Sequence, residues 1–94
     1  MTRISFRKDG DLHEVKAVGH ADGDPQACAG VSAILCALAG YLNNDPACRA
    51  ISCKLKPGDA DISFKGPGEQ AFLMAEIGLR QIALSHPESV RIFE

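Results

Sequence analysis

Residues 25–42 read as a helix that is apolar on most of its sides. Val31, Leu35, Leu38 and Leu42 recur at helical spacing, with alanines and Cys36 between them. A helix of this kind needs cover, so it predicts burial against a sheet, a second helix or a partner subunit. Its start is also marked. Asp24 suits an N-cap, and Pro25 suits the first helical position.

The flanking segments carry a two-residue period. Ile4 and Phe6 alternate with polar residues, Asp9-Gly10 turns the chain, and residues 12–18 form a second alternating run. That combination is a strong hairpin signal. Residues 49–56 place Ile51, Cys53 and Leu55 on one face, Pro57-Gly58-Asp59 turns, and Ala60, Ile62 and Phe64 line the next strand. Gly66-Pro67-Gly68 breaks that strand. A second helix is predicted over 69–85, with Phe72, Ile77, Leu79, Ile82 and Leu84 among its apolar positions, and His86-Pro87 ends it. Val90 and Ile92 suit a last short strand. The order β-β-α-β-β-α-β predicts an α+β fold: a mainly antiparallel sheet with two helices packed on one face, in one domain over residues 1–94. His13, near the start of the second strand, is expected at the surface.

Composition excludes some functions. Twelve acidic residues against ten Lys and Arg give a net charge of −2, with no dense basic block. Direct nucleic-acid binding usually requires such a block. Lys54, Lys56 and Lys65 are expected on a solvated sheet face. The start lacks the pattern of a secretory signal, and no apolar run is long enough to span a bilayer. A cytoplasmic protein with no membrane partner is expected. Cys28, Cys36, Cys48 and Cys53 are spaced by 8, 12 and 5, with no C-x-x-C pair. Neither a zinc ribbon nor a disulfide framework follows. At least three of these cysteines are expected to be small buried apolar groups, and no cofactor is implied.

One short stretch carries chemistry. His20 ends a strand, and Cys28 lies in the first turn of the apolar helix. A helix N-terminus favours a thiolate, and a nearby imidazole can serve as its base. Asp22 and Asp24 are candidate orienters of His20, although Asp22 also suits a turn and Asp24 a cap. The backbone N–H groups near Ala29 and Gly30 are candidate oxyanion donors. Ser32, one turn on, has no evident base. The same His20, Asp22, Asp24 and Cys28 could be read as metal ligands, but that set mixes hard and soft groups on a short loop, and no metal site is expected. The structural alternative has His20 satisfying loop carbonyls while Cys28 packs against the sheet.

The pairing of Gly19-His20-Ala21 with Cys28-Ala29-Gly30-Val31-Ser32-Ala33 resembles the ribosomal-processing cysteine protease Prp (YsxB-like) family, over nearly the whole chain. The resemblance implies a homodimeric protease with a Cys-His dyad, here Cys28 and His20. It also implies a substrate: the N-terminal extension of ribosomal protein L27, cut after paired aromatic residues. The family's loop between the two motifs is longer and carries Gly-x-Asp ahead of two apolar residues and the cysteine. Here seven residues separate His20 from Cys28, and Pro25 stands three before the cysteine. The alternative is a catalytically inactive homodimeric peptide-binding or ribosome-associated module of the same fold.

Overall fold

In the computed structural model, which describes residues 1–93, the run at 12–18 is the centre of the architecture. Strands β1 (Thr2–Asp9) and β2 (Leu12–Val18) form a hairpin, and α1 (Pro25–Asn44) follows. Then come β3 (Arg49–Lys56), β4 (Asp59–Lys65), α2 (Glu69–Ser85) and β5 (Val90–Ile92). The five strands make one sheet in the order β3-β4-β2-β1-β5. Three pairings are antiparallel, and β1 with β5 is parallel, so the sheet is mixed. The parallel edge requires a crossover connection.

The register of β2 decides which face is buried. Ala17 lies opposite Ile4 and Ala60, Val15 opposite Phe6 and Ile62, and His13 opposite Lys8 and Phe64. Side chains alternate along a strand, so these residues share one face. Ile4, Ile62 and Phe64 are fully buried there. Val31, Leu35, Leu38 and Leu42 of α1, with Phe72, Ala75 and Leu79 of α2, complete the same core. Each such large side chain contributes roughly 1.5–3 kcal/mol by leaving water. The opposite face is polar, with an Arg7–Glu14 ion pair at 3.3 Å across the hairpin.

His13 is buried, not exposed, at 4% accessibility. Its two-residue spacing from Val15 puts it on the core face, where its ring stacks on Phe64 at 5.2 Å and meets Phe72 at 5.1 Å. Its Nδ1 lies 3.1 Å from the Asp11 carbonyl oxygen.

The two helices pack through reciprocal glycine–isoleucine contacts. A Cβ at Gly30 would lie 3.0 Å from Ile82 Cδ1, and one at Gly78 would lie 2.8 Å from Ile34 Cδ1. Each helix thus offers a glycine to the isoleucine of the other. α1 runs to Asn44, slightly past its expected end. By length and composition it is apolar enough to cross a membrane, contrary to the sequence expectation, and 33% of its apolar stretch is buried within the chain. The buried part is the stripe that completes the core.

Strand β3 departs from expectation too. Its register shifts between Ala50 and Ser52, which takes Ile51 out of the alternation. Cys53 and Leu55, opposite Ile62 and Ala60, are on the helix-covered side of the sheet but exposed. The reason is position: β3 is an edge strand, and the helices cover the centre.

Leu79 is fully buried and Leu84 is 81% exposed on the same helix. Leu79→Ala is expected to cost about 2–5 kcal/mol and Leu84→Ala under about 0.5 kcal/mol, read by urea denaturation. Equal costs would contradict the face assignment.

Candidate active site

At the end of β2 the chain turns sharply at Gly19, with φ +94°, and Met1 carbonyl oxygen occupies the space where a Cβ would project. Gly19 N–H donates to Gly58 O at 2.9 Å, and Thr2 Oγ1 donates to Gly19 O at 3.4 Å. These bonds hold the backbone beside His20. The His20 side chain is exposed, and its ring lies against Gly58 in the β3–β4 turn.

The following loop closes through Asp24 N–H to Ala21 O at 3.1 Å, and Asp24 begins α1. Its Oδ1 accepts from Ala27 N–H at 3.0 Å, as an N-cap does. Its Oδ2 meets His86 Nδ1 at 2.8 Å. His86 is the C-cap of α2, and its backbone N–H donates to Ile82 O at 2.8 Å. Asp24 therefore links the start of one helix to the end of the other. Its carboxyl is held below its ordinary 3.8, first by the Ala27 N–H, then by the Ser89 hydroxyl and the His86 imidazole.

This arrangement redistributes the roles read from sequence. Both Asp24 oxygens are engaged away from His20, so Asp24 is a cap and a helix tie here, not an orienter. Asp22 is exposed and makes no hydrogen bond among the described residues. Ala29 and Gly30 lie beyond the N-terminal positions whose N–H groups lack helical acceptors. They can donate to an oxyanion only by giving up helix bonds. Cys28 N–H already donates to Asp24 O at 3.1 Å. Among the described residues, no group of three or more His, Cys, Asp and Glu gathers as a metal-binding set.

Cys28 is exposed, which sets aside packing against the sheet. Cys28 and His20 both line one cavity of about 380 Å³. Among the described residues no hydrogen bond joins the two groups. The cavity has three walls. Cys28, Val31, Ser32, Leu35 and Cys36 come from α1; Ala17, Gly19, His20 and Ala21 come from the end of β2 and the residues after it; and residues 55–60 bring the β3–β4 turn. Its lining is mostly apolar, with Lys56 and Asp59 at the turn.

The third wall was missed from sequence. Pro57-Gly58-Asp59 reads as a turn, but nothing local says which part of the molecule it faces. The cysteines differ as well. Only Cys48 is buried, while Cys28, Cys36 and Cys53 are exposed, because three of the four lie outside the core stripe of α1 or on the edge strand. Burial, then Asp45, pushes the Cys48 thiol up. Lys54 pairs with Asp59 at 3.0 Å, whereas Lys65 stands at the far end of β4, so the three lysines form no single patch.

No family model matches this sequence, and no curated protein matches it. Solved structures do. The ribosomal processing protease Prp from S. aureus in complex with a substrate peptide superposes with a TM-score of 0.75 at 18% identity, covering 99% of this chain and 98% of that one. The chain has the Prp fold. The same protease with a covalently linked product peptide gives a TM-score of 0.73 at 20% identity, covering 98% of this chain and 97% of that one. SMU.848 from Streptococcus mutans gives 0.72 at 23% identity, covering 98% of this chain and 91% of that one.

The lowered Asp24 carboxyl has a consequence for stability. A depressed carboxyl pKa stabilises the fold above the unfolded-state value, and the contribution is lost as pH falls through the folded-state value. The stability gap between wild type and Asp24→Asn is expected to be widest above pH 3.8 and to narrow below it, followed by urea midpoints against pH. A gap unchanged down to about pH 2 would contradict the tie.

Proposed function

We propose that the protein is a cysteine endopeptidase that removes an N-terminal extension from ribosomal protein L27 or a similar peptide in the cytoplasm. The observation that carries this is that Cys28 and His20 line one cavity. The Prp fold, known here from two peptide complexes of the S. aureus protease, adds the substrate class.

The chemistry follows from these two groups. His20 takes the proton of Cys28, and the thiolate attacks the scissile carbonyl carbon. The carbon–nitrogen bond breaks as His20 returns the proton to the leaving amine. Water, deprotonated by His20, then attacks the thioester, releasing the carboxylate and restoring the thiol. The positive end of α1 favours the negative charge on sulfur. Val31, Leu35, Leu55 and Ala60 offer apolar wall to a side chain next to the scissile bond. The absence of a ring–sulfur hydrogen bond fits an unliganded site, where catalytic contacts are often long until substrate binds.

That same absence favours a second reading, an inactive peptide-binding module. The two are separated by incubating L27 bearing its extension with wild type, Cys28→Ala and His20→Ala. Wild type is expected to cut once, Cys28→Ala not at all, and His20→Ala about 10²–10⁴-fold more slowly. Binding without cleavage by wild type favours the module.

We also propose that the protein is a homodimer. Only 33% of the apolar stretch of α1 is fully buried within this chain, and Ala29, Ala33, Ala37 and Tyr41 form an exposed ridge along it. Sedimentation at micromolar concentration is expected to give twice the 10.0 kDa chain mass, and Ala33→Glu to shift it toward monomer. A wild-type monomer would overturn this.

A further inference from the structure

We propose that Gly58 is a positioning residue for His20, its missing side chain being the seat in which the imidazole rests. This rests on the dyad reading above and deepens it. A Cβ at Gly58 would fall among the ring atoms: nearest Nε2, then 2.7 Å from Cε1 and 3.0 Å from Cδ2. Any other residue would therefore displace the ring. The ring is the far end of an exposed side chain, so it is the ring and not the turn that gives way, and in doing so it leaves its seat against Gly58. Independently, Gly58 O accepts the Gly19 N–H at 2.9 Å. One residue thus holds the backbone that precedes His20 and leaves the space its ring fills. The same turn forms the third wall of the cavity, and the Lys54–Asp59 pair spans its base at 3.0 Å. The turn's position relative to β2 therefore sets where the imidazole starts from when it meets Cys28.

A simpler account is that Gly58 is needed only for its backbone, since its φ is +71°. Gly10 provides the comparison. It has φ +62° in the β1–β2 turn, with nothing within 4 Å of a built Cβ. Asparagine tolerates this left-handed conformation better than most residues. Gly58→Asn and Gly10→Asn therefore carry a similar backbone demand, and only the first collides with the ring.

The test is the pH profile of Cys28 alkylation by iodoacetamide in the full chain, with the labelled peptide quantified by mass spectrometry. Wild type and Gly10→Asn are expected to alkylate at pH 7 at the same rate, and faster than His20→Ala, which lacks the base. Gly58→Asn is expected to react at pH 7 about tenfold more slowly than Gly10→Asn. A Gly58→Asn profile equal to that of Gly10→Asn overturns the positioning role and leaves the dyad standing. A wild-type profile equal to that of His20→Ala overturns the dyad, and the role of Gly58 with it. A stability cycle covers the case in which Gly58→Asn unfolds. Adding His20→Ala removes the ring and is expected to restore the folding equilibrium of Gly58→Asn by about tenfold. The same penalty with and without the ring overturns the proposal.

Discussion

The close packing of α1 against α2 and the sheet is the constraint from which the rest of the molecule follows. α1 must bury Val31, Leu35, Leu38 and Leu42, and only the centre of the sheet offers enough apolar surface. The glycine–isoleucine contacts at Gly30 with Ile82 and Gly78 with Ile34 then fix how near the second helix can come. With one helix seated on the sheet and the other seated on both, the N-terminus of α1 has little freedom. It emerges beside the end of β2, and the short loop from His20 to Asp24 spans the gap. Interiors packed at this density transmit position well, so the core places the site as well as stabilising the fold.

Asp24 extends that constraint to the site. One carboxylate caps α1 and meets the His86 imidazole at the end of α2. A carboxylate used in this way is not available to orient the exposed imidazole at residue 20. The chemistry proposed here is accordingly that of a dyad. What holds His20 is instead the amino group of Met1, which donates to its carbonyl oxygen, and the β3–β4 turn, through a backbone hydrogen bond to the preceding Gly19 and one absent side chain. Orientation by shape replaces orientation by charge, which suits an exposed ring, where a charged hydrogen bond would be weakened by water.

Much of the architecture was legible in the sequence because strand and helix periods differ and turns have their own chemistry. The Asp9-Gly10 hairpin, the cap at Asp24 with Pro25 and the break at Gly66 are all local. His13 shows where local reading stops. Histidine is usually near the surface, but two-residue spacing from Val15 and Ala17 put it on the core face, where Phe64 and Phe72 supply aromatic partners. The period carried that information, and residue type obscured it. Cys36 and Cys53 show the reverse error. Both are small and apolar enough for a core, yet both are exposed, one beside the cavity and one on the edge strand. Ile51 escaped its alternation through a register shift that leaves no clear mark in the residue pattern.

The amino-acid order alone determined the elements, their sequence along the chain, and the nearness of His20 to the helix start that bears Cys28. These depend on interactions within about ten residues: periodicity, capping and turn conformation. Tertiary structure alone decided that the β3–β4 turn lies against the His20 ring, that Asp24 is held by a residue 62 positions away, and that Cys28 lines a cavity shared with that turn. The reason is that strand order is a global outcome. β4 joins β2 because that arrangement lets the helices cover Ile62 and Phe64, and no single segment encodes the choice.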